Sequence, residues 1–561
     1  MRIALAQLDP VVGAFTANVE KIRDSYTKAC KAGARVLMTP ELSVCGYPPH
    51  DLVERPEMFV GNEKAIAELL PLTAGKSCAL IVGHIITNPN PLGRKAQNVV
   101  SVLQGGKVVF RQAKTLLPTY DVFDEARYFE PATEVKLWDC DGTKIALAIC
   151  EDLWAQDSAY GRRLYGKDPV DEYRKQGAQL VLSLSASPYV WGKSQKREKL
   201  HREVAQKLGV PLIYLNQFGA TDEILFDGES FASDASGKLL GRLPHFRKDF
   251  AVFDTEKLSW IEGDVSKDSA PVNELEVLAD GLLTGIRDYF HHTGFKSAVL
   301  GLSGGIDSAV VGALAVKALG AENVLGVGMP SQFSSPHSLE DAEEQARRMG
   351  IRFRVRPIKF LYSTASRELT EGFGQLADLA LENLQSRLRG MTLMTWANHL
   401  GSLVLTTGNK SELATGYCTI YGDMVGALAP LGDLYKTQVY ELARYINQAW
   451  GNPIPERSIS RPPSAELRPN QKDQDTLPPY DKLDPLLRDY IEEGASVDDL
   501  IRRHAGNKDS KWVVETLEKV ERNEFKRRQA PPVLKISHKA FGIGRRVPIA
   551  KSWLGTAKRD T

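Results

Sequence analysis

The sequence lacks any apolar run close to the roughly 18–20 residues that are needed to cross a lipid bilayer. Its charges nearly cancel, with 71 Lys and Arg against 70 Asp and Glu in 561 residues. It therefore has no excess charge for general binding to nucleic acids or membrane surfaces. Residues 1–7 read as a strand and turn polar too early for a signal peptide. We expect a cytoplasmic protein with no nucleic-acid or membrane partner.

Cysteine is also scarce. The six cysteines show neither the spacing of metal ligands nor the density of a disulfide scaffold. With 43% hydrophobic and 25% charged residues, the composition is that of a globular protein. The length exceeds what one core usually organises, so we expect at least two domains.

Short apolar strands alternate with helical patterns through the first part of the chain, at residues 3–8, 36–38, 79–86, 99–103, 145–149, 180–184 and 212–215. Residues 2–7 are echoed by residues 144–149, and residues 33–37 by residues 177–181. The echo suggests two similar halves built on two packed sheets.

A polar segment at residues 262–273 precedes a second series of strands and helices. We predict a first α/β domain at 1–260, a linker at 261–274, and a second α/β domain at 275–561. The Pro-rich tract at 453–479 offers little to bury and should be mobile or become ordered on binding. The basic tail at 526–546 is either solvated or a flap over polyphosphate.

Residues 301–308 connect a predicted strand to a helix predicted at 308–319 through two adjacent glycines. Backbone N–H groups at such a turn, together with the positive end of the helix, bind phosphate. The loop lacks the Gly-Lys-Ser/Thr ending of a Walker A loop, which excludes an ordinary kinase or GTPase cradle. Asp307 and Glu412 could converge on Mg2+. A serine-capped turn without a ligand is the alternative.

The motif from Ser303 to Ser308 resembles the signature of the N-type ATP pyrophosphatases. Segments 382–387, 407–423, 463–467 and 480–484 resemble NAD synthetases, and segment 525–532 resembles their bacterial glutamine-dependent branch. Ala427 departs from the ammonia-using branch, which has an aspartate there, so we predict no substrate contact at that position. The resemblance implies a doubly wound parallel sheet of the adenine nucleotide alpha hydrolase type. It also implies Mg2+ as cofactor, with ATP and deamido-NAD+ as substrates.

The same resemblance implies specific contacts. For ATP they are Gly301, Leu302, Ser303, Gly304, Gly305, Ile306, Asp307, Ser308, Thr407, Arg387 and Lys436. For deamido-NAD+ they are Asn383, Glu412 and Lys526, and for the metal they are Asp307 and Glu412.

Three residues of the first half, each near the end of a predicted strand or hairpin, are candidates for catalysis: Glu41, Lys114 and Cys150. A base, a cation and a thiol could share one pocket there. Cys150 must become a thiolate to attack an amide, and its neighbours Glu151 and Asp152 would raise its pKa unless a lysine offsets them. Taken alone, Cys150 could equally be a packed core thiol.

This set resembles the Glu-Lys-Cys triad of the nitrilase superfamily, over most of residues 1–250. The resemblance implies an α-β-β-α sandwich and an acid beside the substrate at Glu125. In the glutaminase members of that superfamily, the positions of Tyr120, Ser187 and Lys193 hold glutamine.

The two resemblances together imply a ligase in which ammonia from L-glutamine attacks adenylated deamido-NAD+ to give NAD+. They also imply a homo-oligomer. A GMP synthetase-like enzyme would share the phosphate loop, but it should carry a Cys-His-Glu glutaminase, which this sequence does not show. An amidase with a nucleotide-sensing second domain is the other alternative, and it predicts no release of pyrophosphate.

Overall fold

The computed structural model describes residues 1–155, 163–266, 273–506 and 510–554. Residues 267–272 of the predicted linker lie outside this range. Residues 1–277 and 278–561 form two separate units. No helix in the described part of the chain is long and apolar enough to cross a membrane.

The first unit contains both strands and helices. The strands are β1 (Arg2–Gln7), β2 (Val36–Met38), β3 (Ala79–Thr87), β4 (Ala96–Gln104), β5 (Lys107–Ala113), β6 (Leu137–Cys140), β7 (Thr143–Ile149), β8 (Leu180–Ser185), β9 (Leu212–Asn216), β10 (Phe218–Thr221), β11 (Ile224–Asp227), β12 (Phe231–Ser233), β13 (Leu239–Arg242), β14 (Asp249–Asp254) and β15 (Ser259–Glu262). The helices are α1 (Phe15–Lys31), α2 (Pro56–Leu69), α3 (Glu125–Tyr128), α4 (Pro169–Lys175) and α5 (Lys193–Leu208).

Two sheets form the centre of this unit, in the orders β15-β14-β1-β2-β3-β4-β5 and β13-β12-β9-β8-β7-β6. Because side chains alternate along a strand, Ile3 and Leu5 of β1 pack against the second sheet, where they meet Ile145 and Leu147 of β7. Ala4 points to the opposite face and packs among α1 and α2. Both faces of β1 are therefore buried, which explains its nearly continuous apolar sequence.

Helices α4 and α5 cover the outer face of the second sheet, where Val170 and Val204 pack on Ala146 and Val181. The unit is thus an α-β-β-α sandwich, which confirms the predicted fold. Strands β1 and β7, which carry the sequence echo, each pair in parallel with the next strand of their own sheet, β2 and β8. The echo corresponds to equivalent strands in the two sheets.

The second unit contains most of the helices. They are α6 (Glu274–Thr293), which begins shortly before the boundary, α7 (Ile306–Leu319), α8 (Pro336–Met349), α9 (Lys359–Phe373), α10 (Asp378–Leu400), α11 (Lys410–Thr415), α12 (Lys436–Ala449), α13 (Glu456–Ser460), α14 (Tyr480–Ile491), α15 (Val497–Leu500), α16 (Lys511–Arg522) and α17 (Glu524–Arg527). The strands are β16 (Ala298–Gly301), β17 (Val324–Gly328), β18 (Arg352–Val355) and β19 (Leu403–Val404).

The strands of this unit form a parallel sheet in the order β18-β17-β16-β19. Helix α10 packs on one face, where Leu393 and Ala397 meet Val299 and Val327, while α7 and α8 contact the strands from the other face. The doubly wound parallel sheet is therefore confirmed. Its central strand β16 leads directly into the glycine-containing loop, as predicted from the sequence.

One expectation about this unit is wrong, and so is one of the two alternatives for the basic tail. The Pro-rich tract does have apolar side chains to bury, since Ile454, Ile459 and Leu477 are 0%, 7% and 4% exposed. The basic tail is not a solvated segment, because Arg527 and Lys535 are 3% and 1% exposed. Its charges are balanced within the unit, for example by ion pairs from Arg545 to Glu521 and Glu524. A charge run in sequence does not show these partners.

Candidate active sites

Glu41, Lys114 and Cys150 follow strands β2, β5 and β7, and the structure brings them together. The Nζ atom of Lys114 lies 2.7 Å from Oε1 of Glu41 and 2.8 Å from Oε1 of Glu125. The side chain of Lys114 is 1% exposed. A lysine that is so completely buried is stabilised as a cation by its two carboxylate partners, and these partners raise its pKa against the effect of burial.

The backbone holds Cys150 in an unusual conformation. Its φ angle of +43° lies in the left-handed region, at the start of a short 3-10 helix, Cys150–Leu153. Asp152 secures this turn by accepting hydrogen bonds from the backbone N–H groups of Thr115 and Leu116, both at 2.9 Å. Because Thr115 follows Lys114 in sequence, Asp152 ties the cysteine turn to the segment that presents the lysine.

Burial raises the pKa of the Cys150 thiol, the negative charge of Glu41 raises it further, and Lys114 partly offsets both. Glu151 contributes less than Glu41. The thiol is therefore neutral at rest and needs a base to accept its proton during attack. Glu41 is the adjacent carboxylate.

The residues predicted to hold glutamine surround the same turn. The Tyr120 hydroxyl donates to Oε2 of Glu151 at 2.9 Å. The Nζ atom of Lys193 donates to the Pro188 carbonyl at 3.1 Å and lies 5.6 Å from the ring centroid of Trp154. Tyr120 and Lys193 thus contact residues that adjoin Cys150 or close its turn.

Ser187 and Glu125 belong to the same cluster. The backbone N–H of Ala186, which precedes Ser187, donates to Oε2 of Glu41 at 3.1 Å. Burial raises the pKa of Glu125 to about 7, against the opposing effect of Lys114. Its Oε2 atom is buried and accepts no hydrogen bond from the described residues.

Sequence reasoning missed several residues that shape this site. The amide of Asn98 donates to Oε1 of Glu41 at 2.7 Å, and the hydroxyl of Tyr47 donates to Oε1 of Glu125 at 2.8 Å. Tyr165 donates to Oε1 of Glu151 at 2.7 Å. None of these residues belongs to a motif, and only their position in the fold identifies them.

A second candidate site lies at the carboxyl ends of β16 and β17, where a cavity of about 720 Å³ opens. The predicted ATP and metal residues that line it are Gly301, Leu302, Ser303, Gly305, Ile306, Asp307, Ser308, Thr407, Glu412 and Lys436. Gly304 belongs to the loop but does not line the cavity. Its φ angle is +77°, and a Cβ atom there would come within 2.2 Å of the Ser338 carbonyl oxygen. Only glycine fits at this position.

The helix after the loop starts at Ile306, two residues earlier than predicted. Gly305 is its N-cap, which places Ser308 inside the first turn. The Ser308 hydroxyl donates to the Gly305 carbonyl at 3.0 Å and accepts from the Ser303 backbone N–H at 3.2 Å. This serine therefore shapes the loop.

Asp307 and Glu412 converge on one cation. The Nζ atom of Lys436 contacts Oδ2 of Asp307 and lies 3.3 Å from Oε1 of Glu412. Burial raises the pKa of Glu412 to about 8, with Lys436 opposing the shift. Within the described residues no group of three or more His, Cys, Asp or Glu side chains forms a metal site. Two carboxylates still fit Mg2+, which is commonly held by one or two carboxylates together with substrate phosphates.

Besides Gly304, three predicted residues are not among the described residues that line this cavity: Arg387, Asn383 and Lys526. They instead contact the loop at 416–423. Arg387 donates to the Ile420 carbonyl at 3.3 Å, and Asn383 accepts from the Thr419 hydroxyl at 2.7 Å. Their roles with substrates stay predictions.

Three arginines that the sequence did not single out line the cavity: Arg389, Arg461 and Arg468. Arg389 lies two residues after Arg387 on α10, and successive helical residues are about 100° apart, so the two side chains leave the helix on different sides. Nε of Arg389 donates to the Met329 carbonyl at 3.1 Å, and burial lowers its pKa to about 10. The cavity thus has cationic groups besides Lys436.

Comparison with known proteins covers both units. The family described as Carbon-nitrogen hydrolase matches residues 2–256, and the family described as NAD synthase matches residues 278–530. The chain is 44% identical over 559 residues to the glutamine-dependent NAD(+) synthetase of Synechocystis sp., covering 98% of this chain and 99% of the relative. It is 42% identical over 559 residues to that of Acinetobacter baylyi, covering 98% of each.

A solved structure is similar over the same extent. It is the glutamine-dependent NAD+ synthetase from Acinetobacter baumannii in complex with adenosine diphosphate, with 39% identity, a TM-score of 0.75 and 98% coverage of each chain.

Proposed function

The chain belongs to the glutamine-dependent NAD(+) synthetase family, and from this premise we propose how its two units share the reaction. It is an enzyme, a carbon–nitrogen ligase that makes NAD+ with glutamine as the amide nitrogen donor. The first unit would release ammonia from glutamine, and the second would activate deamido-NAD+ with ATP.

In the first unit, Glu41 takes the thiol proton of Cys150 as the sulfur attacks the amide carbon of glutamine. The negative oxygen of the tetrahedral intermediate is stabilised by the Lys114 ammonium. Glu41 then returns the proton to the leaving nitrogen, so that ammonia departs and a glutamyl thioester remains. Water hydrolyses the thioester to glutamate. Tyr120, Glu125, Ser187 and Lys193 position the glutamine.

In the second unit, the nicotinate carboxylate of deamido-NAD+ attacks the α-phosphorus of ATP. The bond from that phosphorus to the bridging oxygen breaks, and pyrophosphate leaves. Ammonia then attacks the adenylated carbonyl, and AMP leaves with its electron pair to give NAD+. The backbone N–H groups of the loop at 301–308 hold the phosphates, Lys436 and Arg387 neutralise them, and Thr407 contacts ATP. Asn383, Glu412 and Lys526 hold deamido-NAD+.

Asp307 and Glu412 would hold Mg2+, since an oxygen of each carboxylate lies beside the same ammonium group, that of Lys436. When bound, Mg2+ would neutralise negative charge on the triphosphate and on the departing pyrophosphate.

One observation carries the proposal for the nitrogen source: Lys114 lies between the buried carboxylates of Glu41 and Glu125 beside the Cys150 turn. The test is to mix the protein with Mg2+, ATP and deamido-NAD+, and to add either glutamine or ammonium. NAD+ should form from both, with stoichiometric pyrophosphate. No NAD+ from either source would reject the proposal and favour an amidase with a nucleotide-sensing unit.

We also propose that the enzyme is a homo-oligomer that works in the cytoplasm. All six cysteines are free thiols, as a reducing compartment would keep them. Helix α9 buries none of its side chains, and large apolar side chains remain exposed on α9 and α10: Phe360 at 80%, Phe373 at 87%, Leu379 at 68% and Met391 at 49%. A second copy of the chain would cover exposed apolar side chains of this kind.

A further inference from the structure

Helix α11 carries Glu412 but is too short to hold itself in place. It has six residues, Lys410–Thr415, and isolated helices of this length are unstable in water. Asn409 caps its first turn by accepting from the backbone N–H of Glu412 at 3.0 Å, and the amide of Asn409 also donates to Oδ1 of Asp307 at 2.9 Å. Any shift of α11 would therefore move Glu412 and loosen a contact to Asp307.

The carboxyl end of α11 is held by residues that follow it by more than a hundred positions. Carbonyl groups in the last turn of a helix have no partner within the helix. The Nη1 atom of Arg527 donates to the carbonyls of Leu413 and Ala414 at 3.1 and 2.8 Å. Nδ2 of Asn523 donates to the Thr415 carbonyl at 3.1 Å.

The amino end of α11 is held by a later part of the same C-terminal segment. The Nζ atom of Lys410 is completely buried and donates to the Ser537 hydroxyl at 2.7 Å and to the Lys539 carbonyl at 3.1 Å. It also pairs with Asp433 at 2.9 Å and with Glu492 at 2.7 Å. Asp433 in turn accepts hydrogen bonds from the backbone N–H groups of residues 536 and 537 at 2.8 and 2.7 Å. The C-terminal segment and α11 therefore belong to one hydrogen-bond network.

We propose that residues 523–539 are a brace that sets the position of α11, and that Lys410 and Arg527 act through it as positioning residues for Glu412. The inference rests on the proposed function, in which Glu412 and Asp307 hold Mg2+ with the nucleotide. The brace contacts α11 away from the cavity, because none of the described residues that line the cavity lies between 523 and 539. The contact with deamido-NAD+ proposed for Lys526 is separate from this support of α11. This is a different role from a flap over polyphosphate.

Arg527→Lys is the sharpest test. Lysine keeps the positive charge but lacks the planar guanidinium group of arginine. That group donates to two carbonyls of α11 and pairs with Glu524 at the same time. Arg528→Lys is the matched control, since Arg528 is a neighbouring, 47% exposed arginine that also pairs with Glu524. Both variants are made in the full chain, and thermal unfolding reports whether the second unit of each folds.

Three measurements separate positioning from general stability. The first is the half-saturating Mg2+ concentration in ammonium-driven NAD+ synthesis, beside the KM for ammonium. The second is Mn2+ binding in the presence of ADP, followed by electron paramagnetic resonance. The third is hydrogen–deuterium exchange of the peptide at 410–418.

In Arg527→Lys we expect the half-saturating Mg2+ concentration to rise by about tenfold or more, as is typical when a group supporting a metal ligand is changed. Mn2+ binding should weaken in parallel and exchange at 410–418 should accelerate, with the KM for ammonium unchanged. Arg528→Lys should match the wild type throughout.

Wild-type Mg2+ dependence and Mn2+ binding in a folded Arg527→Lys variant would overturn the brace. If that variant does not fold, Ser537→Ala decides the question, because it removes one acceptor of Lys410. It should raise the half-saturating Mg2+ concentration roughly two- to tenfold, and no change would equally overturn the proposal. Failure of the wild type to make NAD+ from ammonium would instead reject the proposed function.

Discussion

The Nζ atom of Lys114 lies 2.7 Å from Oε1 of Glu41, and both side chains are 1% exposed. A buried pair of this kind gains little stability over an apolar pair, but removal of one partner leaves an uncompensated charge. Stability alone therefore does not account for this pair. In the proposed mechanism it supplies a proton acceptor and an oxyanion-stabilising cation to one thiol.

Cys150→Ala should abolish NAD+ synthesis from glutamine and leave synthesis from ammonium within about twofold of the wild type, because only the nucleophile is removed. Both rates are measured at saturating ATP and deamido-NAD+. Cys140→Ala is the control, since Cys140 is another buried thiol of the same unit and belongs to its core. Loss of both activities in Cys150→Ala would mean that this thiol supports the fold.

Asp307→Ala should lower synthesis from both nitrogen sources by about a hundredfold or more, in the range seen when a group that stabilises transition-state charge is lost. Glutamine hydrolysis by Cys150 should persist. The exposed acid Asp378 at the start of α10, changed to alanine, provides the control. Unchanged synthesis in Asp307→Ala would remove this residue from the metal site.

Gly304→Ala should destabilise the second unit by at least about 1–3 kcal/mol, since it combines a left-handed backbone with a steric conflict. Its Cβ would come within 2.2 Å of a carbonyl oxygen. Thermal unfolding measures the effect. Gly305→Ala is the matched comparison, because its φ angle is −83° and its Cβ would lie 3.3 Å from Ser303 Oγ. Equal stability of the two variants would contradict this reading of the loop.

The pH dependence of stability should report on Glu125, whose pKa is raised from 4.5 to about 7 by burial. The folded protein then holds this proton more tightly than the unfolded chain. The stabilising contribution is complete below pH 4.5 and is lost as the pH rises through 7. Chemical denaturation should therefore show a smaller loss of stability between pH 5 and pH 8 in Glu125→Gln than in the wild type. Identical losses would place the Glu125 pKa outside this window.

Met391→Glu should shift the protein toward smaller species in sedimentation or light scattering, because it puts a charge among the exposed apolar side chains of α9 and α10. Thr27→Glu, at an exposed position of α1, tests whether any new surface charge has the same effect. An unchanged mass for Met391→Glu would exclude this part of α10 as the contact between copies.

The glycine turn after β16 and the two α/β units could be predicted from the sequence, because both depend on local patterns. The apolar run of β16 followed by Gly304 and Gly305 indicated the glycine turn between a strand and a helix, and the alternation of strands and helices indicated two α/β units. Glu41, Lys114 and Cys150 were found through a family resemblance, since a lone thiol has no local signature. Asn98 and Tyr47 could not be found, because they meet Glu41 and Glu125 only after chain segments 57 and 78 residues apart come together.

Charge was the least informative local signal. The run of basic residues after 526 suggested contact with solvent or phosphate, yet Arg527 and Arg545 are buried against Glu524. Arg387 and Arg389 look equivalent in sequence, but their side chains leave α10 on different sides. Of the two, only Arg389 lines the cavity.

The bond between Lys410 and Ser537 joins positions 127 residues apart, and this distance has a consequence for biosynthesis. On the ribosome, α11 is made long before the segment that holds it. The adenylating centre would thus be completed only as the last part of the chain emerges. The described residues that form the thiol centre, from Glu41 to Lys193, are all made much earlier. We expect a stalled nascent chain that ends before residue 523 to hydrolyse glutamine but form no adenylate.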